Sequence, residues 1–190
     1  RSKAEAHGVD VNYGDSFSVI HGPRWGKHSP DYQPRIPEIE EKKILRLAAA
    51  QRVVFMCEER RKGHLLSKHL GINTKNDAVI ATAGSVAQPE KKRFKAQLDL
   101  VFALHEAAPH MMMEFWIHTG QCGGVDHFMG GYVSANIEQS GGHDSTWEQG
   151  LMFQLLNQFY SSTIQRVPSK QISMGVVHIK QEKVIGFQRV

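Results

Sequence analysis

Behind Pro37, apolar residues Ile44, Leu45, Ala48, Ala49, Val53 and Met56 recur at three- and four-residue steps, the spacing of one helix face. Pro37 suits the first turn, Glu38, Glu40 and Glu41 suit the positive end of the helix dipole, and Arg60-Arg61-Lys62 suits the negative end. The pattern predicts a helix over 38–61, capped by Gly63 and followed by a shorter helix from His64 to Leu70 that stops at Gly71. Residues 1–36 show no helical period. Gly22-Pro23 and Ser29-Pro30 mark turns there, so the segment reads as an irregular arm with one short strand at 17–20. Residues 37–190 then form a single domain.

Further along, Ala78-Val79-Ile80-Ala81 reads as a strand, and Met111 to Ile117, after Pro109, reads as another. The run 97–104 is open to either reading, because a short apolar run fits a buried strand and a helix equally. Seven glycines between 119 and 144 bracket a predicted strand at Tyr132–Ile137. Ser145 with Glu148 three residues on is a capping box, opening a helix at 146–163 whose apolar face carries Met152, Leu155, Leu156 and Phe159. Trp147, near its start, is expected to pack on the sheet, and Met111-Met112-Met113 to fill core space. Residues 171–180 and 183–190 read as a closing hairpin. This order predicts an α+β or mixed α/β fold, a central sheet of about five strands flanked by helices 38–61 and 146–163.

At 41% hydrophobic and 22% charged, the 190-residue chain has the composition of a globular domain rather than a disordered one. No stretch reaches the roughly 18 consecutive apolar residues of a membrane span, and the N-terminus carries no secretory leader pattern. Two cysteines, Cys57 and Cys122, form no disulfide framework, so reduced thiols in an intracellular, reducing compartment (cytoplasm or nucleus) are expected. A start at Arg1 and a stop at Val190 inside a strand-like run suggest a piece of a longer polypeptide. The net charge of +4 is unevenly spread. Residues 1–98 hold 18 Lys/Arg against 11 Asp/Glu, and residues 99–190 hold 5 against 8. That asymmetry directs attention to acidic partners.

Three clusters carry the excess: Arg24-Trp25-Gly26-Lys27-His28, Arg60-Arg61-Lys62, and Lys91-Lys92-Arg93-Phe94-Lys95. Cations for phosphates beside aromatic rings for stacking suit RNA or DNA, so nucleic-acid contact through Arg24, Trp25, Lys27, Arg60, Arg61, Lys62, Lys91, Lys92, Arg93 and Lys95 is the leading functional expectation. If 97–104 is a strand, Asp99 and Glu114 sit on neighbouring strands. The resulting order is similar to the αβββαβ core of restriction-endonuclease-like nucleases. That resemblance implies a metal-dependent phosphodiesterase in which Asp99 and Glu114 hold Mg²⁺ or Mn²⁺, with Trp116 standing where a lysine is expected.

The six residues Gly120-Gln121-Cys122-Gly123-Gly124-Val125 resemble the nucleophile loop of picornavirus-type chymotrypsin-like cysteine proteases. The resemblance implies a Cys122 nucleophile, backbone amides of 120–122 as oxyanion donors, and a base among His21, His118, His127 and His143. The alternative function is therefore a cysteine-dependent hydrolase using Cys122 with His127 or His143. His118, Cys122, Asp126, His127, His143 and Asp144 also make a zinc-type ligand set, without a paired-ligand spacing. A third alternative is a non-enzymatic RNA-binding or assembly module of a viral polyprotein.

Overall fold

The structure, a computed structural model, describes residues 11–12, 18–20, 44, 47–57, 60–73, 75–181 and 183–189. The strands are β1 (Val11–Asn12), β2 (Ser18–Ile20), β3 (Arg52–Cys57), β4 (Asp77–Thr82), β5 (Met112–His118), β6 (Ile172–Lys180) and β7 (Lys183–Arg189). The helices are α1 (Arg60–His69), α2 (Lys91–Ala107), α3 (Gly123–Phe128), α4 (Tyr132–Ile137) and α5 (Thr146–Thr163). The strands make one mixed sheet in the order β1-β2-β4-β3-β5-β6-β7. From β2 to β6 all neighbours are parallel, and β1 and β7 add antiparallel edges. The α+β expectation holds, with the closing hairpin and the strands near 18–20, 78–81 and 112–117 in place.

The predicted helix over 38–61 does not hold. Ile44, Leu47 and Ala48 are helical, but the chain bends at Ala50–Gln51 and Arg52–Cys57 is a central strand, buried from Val53 to Cys57. A parallel strand covered on both faces reads as an unbroken apolar run, which mimics helical spacing when it adjoins a true helix. The strand predicted at Tyr132–Ile137 is instead α4. Left-handed Gly131 (φ 81°) precedes it, and Val133 and Ile137, four apart, are its buried residues. The ambiguous run 97–104 lies within α2, where Gln97, Leu100, Val101 and Leu104 are buried at the i, i+3, i+4, i+7 positions.

Successive strand residues alternate between two cores. Val53, Phe55 and Cys57 face the larger one, which α2 and α5 close through edge-to-face rings Phe55–Phe115, Phe115–Phe159 and Phe94–Phe159. Val54, Met56 and Trp116 face the smaller one with Leu66 of α1. Among the described residues no helix is long and apolar enough to cross a membrane.

From β3 the chain crosses to β4 on one side, then returns past β3 to β5 and β6 on the other. The winding reverses between β3 and β5, so the connections leaving their carboxyl ends part there. Doubly wound sheets place ligands at that crevice.

Candidate metal centre

Cys57 ends β3, Thr82 pairs with it at the end of β4, and His118 ends β5. Gly120 and Gln121, both at positive φ (82° and 57°), turn the chain back so that Cys122 lies against Cys57. Cys57, His118 and Cys122 are 1%, 1% and 2% exposed. Their sulfurs stand 3.7 Å apart, neither is in a disulfide, and one ligand atom from each of the three residues falls within 4.8 Å of the others. Among the described residues no other group of His, Cys, Asp and Glu is gathered this way.

The chemistry of the three is matched. The His118 Nδ1–H donates to the Thr119 carbonyl at 2.7 Å, which places the imidazole lone pair on Nε2. A hydrogen bond from the Cys57 thiol holds the Cys122 sulfur well below the usual thiol range. Nearby His118 and the Val125 amide push the same way, against burial. The site therefore gathers two sulfurs and an imidazole, with the Cys122 sulfur biased toward its ionised form.

The approach of the two turns is as close as backbone allows. A Cβ on Gly124 would lie 2.6 Å from the Gly84 nitrogen and 2.8 Å from the Ala83 carbonyl carbon, so the turn after β4 rests on the first turn of α3. Behind the site, the Glu148 carboxylate, fully buried, accepts N–H bonds from Gly120 (2.8 Å), Gln121 (2.7 Å) and Asp144 (2.7 Å). The Ser145 hydroxyl accepts the Glu148 N–H at 3.2 Å, so the cap forms as the sequence predicts, while the glutamate side chain turns to the 120–121 loop instead.

The sequence-predicted site residues divide sharply. Asp99 and Glu114 are not brought together. Asp99 pairs with Lys95 one helical turn away on the exposed face of α2. Glu114 bonds Arg52 (2.6 Å) and the Trp116 indole (2.9 Å), and Arg52 continues to Asp77 (3.0 Å) and the Leu70 carbonyl, bracing the amino end of the sheet. The shared strand geometry on which the Asp99/Glu114 pair depended is absent because 97–104 is helical. The amides of Gly120 and Gln121, expected as oxyanion donors, point to Glu148. His127 and His143 are exposed, Asp126 accepts the Ser134 amide, and Asp144 bonds Thr119 and pairs with His178. Of the predicted zinc-type set only His118 and Cys122 meet, and they meet Cys57, which ends a strand where apolar spacing predicts a helix.

Among the basic residues, Arg93 is 2% exposed, stacks 4.7 Å over Phe128 and bonds Gln88, so it is a core residue. Lys91, Lys92 and Lys95 are exposed. Arg60, Arg61 and Lys62 open α1 with side chains outside the described set, and Arg24, Trp25 and Lys27 lie outside the described residues. No protein-family model matches the chain and no curated protein is similar to it, so a functional reading starts from the geometry of Cys57, His118 and Cys122.

Proposed function

We propose that the domain holds one Zn²⁺ through Cys57 Sγ, His118 Nε2 and Cys122 Sγ and uses the fourth position to activate water against a small carbonyl-type electrophile. One observation carries the reading. Two thiolates on a tetrahedral zinc at about 2.3 Å stand about 3.8 Å apart, and these sulfurs are 3.7 Å apart with an imidazole in the same group.

Charge supports the same ion. Two thiolates and one dication sum to zero, so the loaded centre can sit in a dry interior where an unpaired charge would cost several kcal/mol. Thiolate and imidazole are soft to borderline donors that select zinc over Mg²⁺ or Mn²⁺, whose ligands are oxygens. His118 donating its second nitrogen to a carbonyl is the usual arrangement of a metal-bound histidine. Three protein ligands rather than four leave a position for water, whose pKa zinc lowers to about 7. Burial of all three ligands restricts the reactant to a molecule of a few atoms, so hydration of carbon dioxide or hydrolysis of a small ester is the chemistry to assay. Protein purified from zinc-supplemented cells is expected to carry one zinc per chain by plasma mass spectrometry. Hydration or esterase activity should disappear with a chelator and return with Zn²⁺ or Co²⁺. Metal-free protein, or activity indifferent to chelation, would sink the reading.

A second reading, contact with nucleic-acid phosphate, is favoured by Lys91 and Lys92, exposed in the first turn of α2 with the N-cap Glu90 as the acidic residue directly before them. Cations there oppose the helix dipole, a placement that a polyanion would offset. For a labelled single-stranded RNA the log–log salt dependence should steepen by about 0.7 per phosphate contacted and flatten in Lys91→Glu/Lys92→Glu. A slope that is already flat in the wild type would remove this reading.

A further inference from the structure

We infer that Glu148, whose carboxylate holds the loop between two of the ligands, is the positioning residue that sets the spacing between His118 and Cys122, and that metal affinity depends on it. The inference rests on the zinc reading above.

The segment joining these two ligands has three intervening residues, two at positive φ, a conformation that β-carbon-bearing Gln121 adopts only when its surroundings hold it. Those surroundings are specific. Oε2 of Glu148 takes the Gln121 N–H, and Oε1 takes the N–H groups of Gly120 and Asp144. Asp144 in turn accepts the Thr119 hydroxyl at 2.8 Å, and that hydroxyl accepts the Ile179 N–H at 3.0 Å. Every residue between the two ligands is thus tied to α5 or β6, and Glu148 supplies two of the ties. A buried carboxylate on α5 would otherwise carry a desolvation penalty with no return. The Ser145 hydroxyl already satisfies the need of the helix for a cap.

Glu148→Gln keeps the size but only one acceptor oxygen. That oxygen serves Gly120 and Asp144 best, leaving the new amide NH₂ facing the Gln121 N–H, directly before Cys122. The experiment is Co²⁺ and Zn²⁺ titration of the full chain with a competing chelator, following the thiolate-to-cobalt charge-transfer band, with circular dichroism to score folding. Glu148→Gln is expected to weaken binding by about 10–100-fold and shift the band, and Glu148→Asp to recover part of the loss. Ser145→Ala, which removes the cap and leaves the loop ties, should bind like wild type. Wild-type affinity and spectrum in folded Glu148→Gln would overturn the inference while leaving the zinc centre standing. If Glu148→Gln does not fold, wild-type affinity in Glu148→Asp does the same. Absence of a thiolate–cobalt band in the wild type instead removes the zinc reading, and this inference with it.

Discussion

Cys57→Ser is expected to lower zinc affinity by about 1,000-fold or more, the largest single effect on the site. The substitution is nearly isosteric, so the packing of this core-facing strand end should survive and the loss falls on chemistry. A serine hydroxyl stays protonated near neutrality. With Cys122 the only remaining thiolate, the loaded centre would carry one uncompensated positive charge in a site where both neighbouring ligands are 1–2% exposed. Three decades of affinity correspond to about 4 kcal/mol, in line with the penalty for an unpaired buried ion. The effect should also appear as stability. Zinc at a free concentration 1,000 times its Kd stabilises the native state by about 4 kcal/mol, so a chelator should lower the Tm of the wild type and leave that of Cys57→Ser unmoved. Equal chelator sensitivity in the two proteins would exclude Cys57 as a ligand.

Cys57 is also where sequence reasoning failed, and the cause is physical. Val53 and Met56 continue the three- and four-residue spacing of Ile44 and Ala48 purely because a doubly covered strand is apolar at every position. Arg52-Val53-Val54-Phe55-Met56-Cys57 contains two adjacent β-branched residues and an aromatic, a composition that favours strand and was outweighed by periodicity. Read as a strand, it would align with Asp77–Thr82 and Met112–His118 as three apolar runs, two of them ending on a member of the buried Cys57–His118–Cys122 group. His118 and Cys122 are legible as zinc-type donors, but sequence proximity points to the wrong companions for them. The turn sends His127 and His143 to the surface and fetches Cys57 from 65 positions away. The Ser145–Glu148 cap was legible for a different reason: it is local, and its N–H bond forms as predicted. The destination of the Glu148 carboxylate was not, because two of its three partners lie 27 and 28 positions away. Local hydrogen bonding and amphipathic spacing were readable in one dimension; convergence at strand ends was not.

The remaining large effect concerns the contact that brings those strand ends together. Gly124→Ala is expected to destabilise the protein by about 3 kcal/mol, the upper end of overpacking costs. That corresponds to roughly 10 °C in Tm for a chain of this size. The glycine is not needed for its backbone angles. It is needed because a methyl group there would lie 2.6 Å from the Gly84 nitrogen and 2.8 Å from the Ala83 carbonyl carbon, atoms that no rotamer change can withdraw. Relief requires parting the turn after β4 from the start of α3, and Cys122 directly precedes α3 while Cys57 pairs with Thr82 beside that turn. The substitution should therefore cost metal affinity along with stability. Gly150→Ala is the internal contrast. It lies on the exposed side of α5 with nothing within 4 Å of the added carbon, and it should stabilise the protein by up to about 1 kcal/mol through helix propensity. Urea unfolding of the two variants should thus move in opposite directions from one chemical change. If Gly124→Ala unfolds with the wild type, the two turns are not held at contact distance, and the pairing of Cys57 with Cys122 must be maintained by something other than backbone packing.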